Sequence, residues 1–550
     1  MELLPPDIPL PPGPPSRIYS PRPSNPRRRL LDLKRNLIDR FAFFRLGLQE
    51  YLNYDDEGRR RIRQYILIPP NPGPWPGHPR SAPRQTIWAI RRPGVLARLF
   101  SRGEQGGSMR RAADRVGRTL RRDFRPARLR FRRRLGYGGF GAAFLFEMSD
   151  RDGSVLPVVV KAAISGRQRL RAMQKEEENF VIMAGAQHFV QRCVLQRIPD
   201  PGRPTGALNT LRGLFSRLGL RRNAPDRNDG NDHDDVDNAN NPADRVQAAR
   251  SLLDHRRDII IMEYMSRGNL QSLITRLQGR DNKLSDRMLW LIFECLFKAC
   301  IAMAYPLAFC PRDKNPWEDF VMLQDETAPT RSGRLPEAPL VHFDIDPQNA
   351  LIGDFGLPGE DHDSVPIVKI ADPGLSQVVD ERFRRDEWKL WAHRTCGKAD
   401  FYTPEQFTPE WDYKASKGLH DLSREQTAGN YQWWTNLFQV GCVMFCLVTQ
   451  CSPPMPPVAK PYSYSAEDGS NDILNGYTYG MILYAGEYRS VDRRLRDLIA
   501  RCLDHNPMER PEMRYLESVI DANVGRMDLR GRESDEELMR NAHMIFGEPP

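Results

Sequence analysis

The spacing of apolar residues changes along this chain, and that change restricts the possible fold more than any other feature. From about Arg130, short apolar runs of strand length surround one helix-like segment at about Gln168–Gly185. After Asn269 the apolar residues follow helical spacing, at about 285–305, 431–450 and 492–504. The chain is therefore predicted to be α+β, with a small, mostly β part followed by a larger, mostly α part. The predicted strands are Ala142–Glu147, Pro157–Ala162, Cys193–Arg197 and Asp258–Tyr264.

Polar or proline-rich segments flank and interrupt this region. Residues 199–250 contain the run NDGNDHDDVDNANNPAD, which is too polar to bury a core and predicts a disordered surface insert between two strands. A second insert is predicted at about 311–338. The predicted domains are a basic, Pro- and Arg-rich, partly disordered region at 1–129, the mostly β part at 130–265, the mostly α part at 266–524 and a polar tail at 525–550.

Positive charge is concentrated in the first quarter of the chain. Residues 1–134 contain 31 Lys and Arg against 11 Asp and Glu, a balance of +20, whereas the whole chain carries +10, so the remaining residues carry −10. Such a basic arm can bind an acidic partner, nucleic acid or anionic lipid. It can also be a solvated linker, a nuclear-targeting segment or a segment that folds back on its own body.

Neither membrane insertion nor disulfide bonding is expected. The most apolar stretch, Leu289–Cys310, contains Glu294 and Lys298, whose charges would be costly in lipid, so a buried helix is predicted there. The first residues have no basic leader and are interrupted by prolines, so no secretory signal is expected. The nine cysteines form no C-x-x-C pair, which favours buried thiols in a reducing compartment, the cytoplasm or the nucleus.

Three glycines, Gly136, Gly138 and Gly141, have G-x-G-x-x-G spacing within LGYGGFGAAF. Glycines allow backbone N–H groups to approach phosphate oxygens closely, although a flexible turn or a dinucleotide site has the same pattern. The dinucleotide pattern requires an acidic residue about 20 positions later. Lys161 occupies that position, at the end of the run VVVK, and a cation there suits a triphosphate and not a ribose.

The segment VHFDIDPQNAL contains an aspartate and an asparagine five residues apart, Asp344 and Asn349. Together with the glycines and Lys161, it resembles the protein-kinase family, whose catalytic loop H-R-D-x-x-x-x-N is matched here from His342 onward. The resemblance covers about Arg130 to about Val524. It implies a bilobal fold with a small, mostly β N-lobe and a larger, mostly α C-lobe, ATP and Mg²⁺ as cofactors, and phosphoryl transfer to a protein hydroxyl.

The resemblance assigns roles to individual residues. Asp344 would accept or orient the proton of the attacking hydroxyl, and Asn349 would hold a metal ion. Lys161 would contact the α- and β-phosphates and pair with a glutamate of the next helix. The family's spacing fits Glu177 best, and Glu178 is the second candidate.

The run IIIMEYMSRGNL resembles the last N-lobe strand and the hinge of the same family. By that resemblance Met262 is the gatekeeper, and the backbone of Glu263 and Met265 would form hydrogen bonds with adenine. The residues that would cover the two faces of adenine are Ala143 and Val159 above it and Leu351 below it.

Two segments could supply the other metal-binding aspartate. Asp354, Phe355 and Gly356 spell the family's D-F-G, but they follow Asn349 too closely to leave room for the two-strand hairpin that separates the motifs in that family. Asp372, within IVKIADPG, directly follows an apolar strand. Asp372 is therefore assigned to the metal, and Asp354 to the loop of the hairpin.

Further motifs follow in the order that the family has them. Thr403, Pro404 and Glu405 take the place of A-P-E, and the resemblance predicts a buried ion pair between Glu405 and Arg510. The run WWTNLFQVGCVMF resembles the central apolar helix of the C-lobe.

Four residues depart from the family pattern. Phe343 replaces the arginine that reads activation-loop phosphate, Pro373 replaces the D-F-G phenylalanine, and Asn436 replaces an aspartate that braces the catalytic loop. Asp346 stands where Ser/Thr kinases have a lysine that steadies the γ-phosphate. Because the family position of Lys398 neighbours that lysine, we expect Lys398 and Asp346 to pair with exchanged charges; two unrelated surface substitutions are the alternative.

The motifs together predict an active protein kinase, and Pro347 resembles the Ser/Thr branch. The alternative is a pseudokinase that binds nucleotide or partners without turnover, which the substitutions at Asp346, Pro373 and Asn436 favour. The two inserts indicate a divergent member, similar in style to a fungal group.

Overall fold

The computed structural model describes most of the chain beyond residue 104. Its described residues form a mixed α and β structure, so the predicted α+β class is confirmed at that level. The N-terminal region up to residue 104, Gly138 and most of the two predicted inserts lie outside the described residues. The described residues are 105–137, 141–149, 155–164, 167–195, 242–280, 282–306, 323, 325–329, 336–408, 427–454, 457–467 and 472–547.

The first seven elements are three helices and four strands: α1 Gln105–Asp123, β1 Leu129–Tyr137, β2 Ala142–Ser149, β3 Val155–Ala162, α2 Arg167–Ile182, α3 Pro242–Asp254 and β4 Ile259–Glu263. The strands form one antiparallel sheet in the order β1-β2-β3-β4. Three of the predicted strands and the predicted helix after β3 are confirmed, with their ends shifted by a few residues. The sheet aligns Ala143 with Lys161 and Val159 with Met262.

Helix α1 packs on this sheet, although the sequence placed it in a separate basic region. Ala113 and Leu120 of α1, and Phe124 directly after it, are buried in one hydrophobic cluster with side chains of all four strands. Part of the region predicted at 1–129 therefore packs together with the strands predicted to begin at 130. Exposed arginines flank the narrow apolar stripe of α1, so the stripe was hidden among charges in the sequence.

The first predicted insert also ends earlier than expected. Residues 242–250, predicted to be disordered, belong to α3, whose Leu253 is buried in the same cluster with Ala249 packed against it. The highly polar run before α3 concealed the start of a helix that buries only a few of its apolar residues.

One predicted strand is replaced by irregular chain, and one strand was missed. Cys193–Leu195, the described part of the predicted strand Cys193–Arg197, form no strand; the Cys193 N–H donates to the Ile261 carbonyl from beside β4. β1 was missed because arginines occupy many of its positions. Their side chains are tolerated there because most residues of this edge strand are exposed to solvent.

The remaining elements are mainly helical. Two short strand pairs, β5 with β8 and β6 with β7, lie between the helices. Their bounds are α4 Leu270–Arg280, α5 Asp286–Ala304, β5 Leu340–Val341, β6 Ala350–Ile352, β7 Val368–Ile370, β8 Gln377–Val378, α6 Glu381–Arg384, α7 Glu387–His393, α8 Pro404–Phe407, α9 Trp433–Thr449, β9 Lys460–Ser465, β10 Ile473–Thr478, α10 Arg493–Cys502, α11 Met513–Val524, α12 Met527–Arg532 and α13 Asp535–Phe546.

Helices α5 and α9 form the centre of the helical part. Every residue of α9 is buried, and α5 buries all but a few. Ser285 caps α5 by accepting a hydrogen bond from the Met288 N–H. The helix predicted within Leu289–Cys310 is therefore present and buried as far as Ala304. No helix of the described chain combines the length and apolarity needed to cross a bilayer.

The segment predicted to be a polar tail, 525–550, instead contains two helices. Residues up to Phe546 form α12 and α13, and they bury Leu529, Leu538 and Phe546 in the main hydrophobic cluster. Ser534 and Glu537 form a capping box at the start of α13. Charged residues dominate the composition of this segment, which concealed the few apolar residues that each of the two helices buries.

Candidate active site

Lys161 lies between two carboxylates that come from distant parts of the chain. Its Nζ atom is 2.6 Å from Oε1 of Glu176 on α2 and 2.9 Å from Oδ1 of Asp372, which follows β7. Lys161 reaches both because it stands near the end of β3, opposite Ala143 of β2. The structure therefore brings together two residues that the sequence assigned to one site, Lys161 and Asp372.

The glutamate predicted to pair with Lys161 was the wrong one. Glu177 contacts Arg192 at 3.2 Å, and the Glu176 side chain, only 1% exposed, takes the place beside Lys161. In the described part of the chain Lys161 forms its ion pairs with Glu176 and Asp372, and not with Glu178, the second candidate. Adjacent helical residues differ in direction by about 100°, so the rotation of α2 on the sheet selects one glutamate, and spacing along the chain does not reveal that rotation.

The three charged groups shift one another's pKa. Burial raises the pKa of Glu176 to about 7, against the attraction of Lys161. Burial would lower the pKa of Lys161, but the charges of Asp372 and Glu176 overcome it and raise that pKa, so the ammonium form is stabilised. Burial also acts to raise the pKa of Asp372, yet Lys161 outweighs it and lowers the pKa, so Asp372 stays ionised.

The segment from His342 to Asn349 forms a tight loop between β5 and β6. Asn349 Nδ2 donates to the Asp344 carbonyl at 2.7 Å and to its carboxylate at 3.2 Å. The Asp344 N–H lies 3.3 Å from His342 Nδ1, and His342 Nε2 lies 3.1 Å from the Ala371 carbonyl. Burial lowers the pKa of His342 to about 4, so the ring is neutral, and this arrangement places its proton on Nε2.

Asp372 is held close to this loop by backbone hydrogen bonds. The Ala371 N–H donates to the Asn349 carbonyl at 2.8 Å. Asp372 itself has φ of 61°, in the left-handed region, and its side chain is 44% exposed. The chain thus places Asp344, Asn349 and Asp372 in one hydrogen-bonded unit with a carboxylate partly open to solvent.

Asn179 is a site residue that sequence reasoning missed. Its Nδ2 atom donates to the Pro373 carbonyl at 2.8 Å and to the Ser376 carbonyl at 3.2 Å, which ties α2 to the turn after Asp372. Asn179 lies three residues after Glu176, so both face the same side of α2. That i, i+3 spacing was the available signal.

Asp354 contacts Ser266 and Arg267 and not Lys161, as expected for a residue in the loop of a hairpin. β6 and β7 pair antiparallel, and the Ile367 N–H donates to the Asp354 carbonyl where the connecting loop begins. The Asp354 side chain is 54% exposed and accepts a hydrogen bond from Ser266 Oγ at 2.6 Å. The prediction that D-F-G at 354–356 is a hairpin loop is therefore confirmed.

Lys398 and Asp346 form the ion pair that the sequence predicted. Asp346 is buried, and its carboxylate also accepts N–H groups of Gln348 and Asn349. Burial lowers the pKa of Lys398, against the attraction of Asp344. The alternative of two unrelated surface substitutions is therefore wrong, and a cation lies next to Asp344 despite the aspartate at 346.

Gly397 is required at the position before Lys398. Its φ is +98°, and a Cβ atom would lie 1.9 Å from the Phe343 carbonyl oxygen. Only glycine allows the two segments to approach this closely. The close approach positions Lys398 beside the Asp344 loop.

Two of the three glycines of the G-x-G-x-x-G pattern, Gly136 and Gly141, belong to the described residues, and their surroundings differ. Gly136 pairs with Ala143 near the end of β1, and a Cβ at Gly136 would meet nothing within 4 Å. At Gly141 a Cβ would lie 2.5 Å from the Ala162 carbonyl, so glycine is needed for sheet packing there. Gly138 lies outside the described residues.

The residues assigned to adenine are buried or half-buried along β2, β3, β4 and β6. Met262 and Val159 are paired neighbours, and Met265 follows β4. The Glu263 carboxylate contacts Lys369 of β7 at 2.8 Å in a buried ion pair, which the sequence did not predict. Leu351 is paired with Lys369, so this ion pair joins β4 to the strand pair that carries Leu351.

Phe343 is fully buried at the position where the resemblance to kinases would predict a phosphate-reading arginine. Its ring centroid lies 5.0 Å from His393 and 5.1 Å from Tyr431, within a cluster that also contains Phe383 and Trp391. Apolar packing therefore holds the segment 375–396 against the loop. No cation is presented at this position.

Asn436 braces the loop although it replaces an aspartate. Its Oδ1 accepts the His342 N–H at 2.8 Å, and its Nδ2 donates to the Leu340 carbonyl at 2.8 Å. An amide can make both of these bonds, whereas an aspartate could only accept. The replacement is therefore compatible with the same loop position.

The predicted ion pair between Glu405 and Arg510 is confirmed. Both side chains are 0% exposed, and two N–H···O bonds of 2.8 Å join them. Thr435 Oγ1 also donates to Glu405, and the Trp434 carbonyl accepts from Arg510. Each charge is therefore hydrogen-bonded on several sides.

Comparison with known proteins adds no assignment. No protein-family model matches the chain, and a search of curated proteins found no match.

Proposed function

We propose that this protein is an ATP- and Mg²⁺-dependent protein kinase with a bilobal kinase-like fold. The observation that carries the proposal is the position of Lys161, whose ammonium contacts both Glu176 and Asp372 while Asn349 is bonded to Asp344. These residues span some two hundred positions of sequence, and each has the chemistry that phosphoryl transfer requires.

The donors at Asn349 and Asp372 fit a hard divalent cation. Asn349 Nδ2 is engaged by Asp344, which leaves the amide oxygen as the atom that can face a metal, and Asp372 offers a partly exposed, ionised carboxylate. Oxygen donors of this kind suit Mg²⁺. When bound, Mg²⁺ neutralises charge that develops on the phosphate oxygens.

The chain's own residues have separable tasks in this proposal. Lys161, kept charged by its two carboxylates, contacts the α- and β-phosphates. Asp344 orients the substrate hydroxyl and accepts its proton, and its carboxylate is positioned for this by Asn349. Lys398, paired with Asp346, supplies the cation beside the transferred phosphoryl group.

Activity in this proposal does not depend on phosphorylation of the segment after Asp372. A phosphate group would need a cation to order the segment. Phe343 instead holds it by packing with Tyr431 and His393. Ser/Thr specificity is proposed from Pro347 alone.

The test is transfer of labelled γ-phosphate from ATP to a generic protein substrate in the presence of Mg²⁺. Purified wild-type protein is expected to transfer phosphate, and Asp344→Asn is expected to lose this activity because it removes the proton acceptor. Lack of transfer by the wild type, equal to Asp344→Asn, would overturn the proposal.

A nucleotide-binding scaffold without turnover is the second candidate. The observation that favours it is the aspartate at 346, which engages Lys398 directly and so competes with phosphate for that cation. A scaffold would gain thermal stability from ATP and transfer no phosphate. The same preparation of wild-type protein therefore distinguishes the two functions.

The basic arm supports a separate binding role. On α1, the side that does not face the sheet exposes Arg110, Arg118 and Arg122 among other arginines. We propose an acidic partner, with nucleic acid or anionic lipid as the alternatives. Retention by the full chain of an acidic peptide, of nucleic acid or of anionic vesicles, weakened by rising salt, tests this role.

A further inference from the structure

A cluster of potential metal ligands lies outside the proposed active site. His188, Cys295 and His362 each offer one ligand atom, and these three atoms all lie within 4.8 Å of one another. They come from three parts of the chain: the segment after α2, the middle of α5 and the loop between β6 and β7. His188 and Cys295 are buried, and His362 is half-buried.

His188 is held in one orientation by a buried carboxylate. Glu326 accepts from His188 Nδ1 at 2.6 Å and from the His188 backbone N–H at 2.8 Å, and both residues are fully buried. Because Nδ1 donates to Glu326, Nε2 is the ring atom directed at the other two residues. A carboxylate that orients a ligating imidazole in this way is a common companion of protein metal ions.

His362 faces the Nε2 atom of His188. Their Nε2 atoms are 3.2 Å apart, and the Cys295 Sγ atom lies 3.8 Å from His362 Nδ1. Two nitrogens bound to one tetrahedral zinc ion at about 2.0–2.1 Å are about 3.3 Å apart. The separation of the two nitrogens is therefore already that of a zinc site. The three ligand atoms lie within 4.8 Å of one another, so a rotation of the half-buried His362 ring would allow one metal ion to reach both nitrogens and the Cys295 thiol.

We propose that His188 Nε2, His362 and Cys295 Sγ bind one transition-metal cation of the Zn²⁺ class, with Glu326 orienting His188. Imidazole and thiolate together favour zinc over magnesium or calcium. Binding replaces the thiol proton of Cys295 by the metal, and that proton passes to solvent. Three protein ligands leave the fourth tetrahedral position to water.

The alternative is a metal-free hydrogen-bond chain from Glu326 through His188 to His362. It accounts for the two short distances, and the Cys295 Sγ atom, 3.8 Å from His362 Nδ1, is within hydrogen-bonding distance of the same chain. The metal proposal differs because it places all three ligand atoms, which lie within 4.8 Å of one another, around one ion. Titration with metal ions distinguishes the two.

This metal would fix the loop between β6 and β7 to α5. It would also act on the backbone, because the Ile370 N–H donates to the His188 carbonyl and the Val190 N–H donates to the Ile370 carbonyl. Ile370 lies two residues before Asp372. The metal would therefore stabilise the strand that leads into the proposed active site, whether or not the protein transfers phosphate.

The test uses the full-length protein, stripped with a chelator and titrated with Zn²⁺ and, separately, Co²⁺. We expect about one bound equivalent, and a near-ultraviolet thiolate-to-Co²⁺ absorption band from Cys295. The double variant Cys295→Ser/His362→Asn is expected to lose both signals. Glu326→Gln is expected to weaken binding about 10- to 100-fold with unchanged stoichiometry.

Cys300→Ser is the matched control, because Cys300 is also a buried thiol of α5 but is not one of the three ligands. It is expected to bind Zn²⁺ and Co²⁺ as the wild type does. Wild-type protein that binds no more metal than the double variant would overturn the proposal. Asp344→Asn should still bind one equivalent, so loss of kinase activity and loss of this site are separate results.

Discussion

The Lys161 ammonium lies 2.6 Å from a carboxylate oxygen of Glu176, whereas Glu177, the next residue of the same helix, contacts Arg192. The position of Lys161 therefore depends on the rotation of α2 about its axis. Asn179, on the same side of α2, fixes that rotation relative to the turn after Asp372. A shift of α2 would move a charge away from Lys161.

Glu176→Ala is expected to lower phosphoryl transfer by about 10²-fold, because Lys161 would lose the partner that positions it. Glu177→Ala is the matched control on the same helix and is expected to change the rate by less than about threefold. Rates measured with labelled ATP at saturating substrate check this. Equal effects of the two variants would contradict the assignment of Glu176.

Asp372→Asn is expected to remove the Mg²⁺ dependence of ATP binding and to lower phosphoryl transfer by about 10²-fold or more, because a neutral amide is a weaker ligand than a carboxylate. Thermal stabilisation by ATP, measured with and without Mg²⁺, reports the binding. Asp354→Asn is the control, since Asp354 belongs to the other sequence that could have held the metal. A larger loss in Asp354→Asn would reverse the assignment.

Lys398→Met is expected to lower the rate of phosphoryl transfer by about 10²-fold with little change in ATP affinity, because Lys398 is proposed to act on the transferred group. Lys398→Arg should retain part of the activity because it keeps the charge. Lys389→Met removes an exposed lysine that pairs with Asp386 and serves as the control. An unchanged rate in Lys398→Met would show that the exchanged charge pair has no catalytic role.

Glu405→Gln is expected to lower the free energy of unfolding by about 3–5 kcal/mol, because it leaves the Arg510 charge buried without its partner. Glu381→Gln is the comparison, since the exposed pair of Glu381 and Arg385 contributes less than about 1 kcal/mol. Denaturant unfolding of both variants measures the difference. Similar losses in the two would mean that burial of the Arg510 pair has no energetic consequence.

The contribution of His505 to stability is expected to fall as the pH is lowered from about 6.5 to about 4. Burial, with the nearby charge of Arg510, lowers the native pKa of His505 to about 4, whereas an unfolded histidine titrates near 6.5. The unfolded chain therefore binds the extra proton within this window, and the free energy of unfolding decreases there by up to about 1.4 kcal/mol per pH unit.

His505→Gln should remove this contribution, so its unfolding free energy should depend less steeply on pH than that of the wild type. The comparison between the two proteins is needed because burial raises the pKa of Asp504 to about 6, which acts in the opposite direction over the same window. Denaturant unfolding at several pH values between 4 and 7 gives the slopes. Identical slopes would contradict the role of His505.

Much of the architecture could be predicted because it is encoded locally. The long apolar segment of α9 indicates a helix, and the short apolar run before Asp372 indicates a strand, without reference to the rest of the chain. The order of motifs identified Asp344 and Asn349, and their resemblance to a family gave the pair of Glu405 and Arg510. Predictions based on composition did less well, because α1 and α13 bury only narrow apolar stripes within highly charged segments.

The sequence by itself determined which chemical groups are present and in what order: a cation on a strand, an aspartate and an asparagine on one loop, and an aspartate after the next strand. Only the tertiary structure decided that Glu176 and not Glu177 meets Lys161, and that His188, Cys295 and His362 converge. The reason is that hydrophobic periodicity is read from neighbouring residues, whereas the rotation of a helix and the meeting of three distant segments result from packing across the whole core.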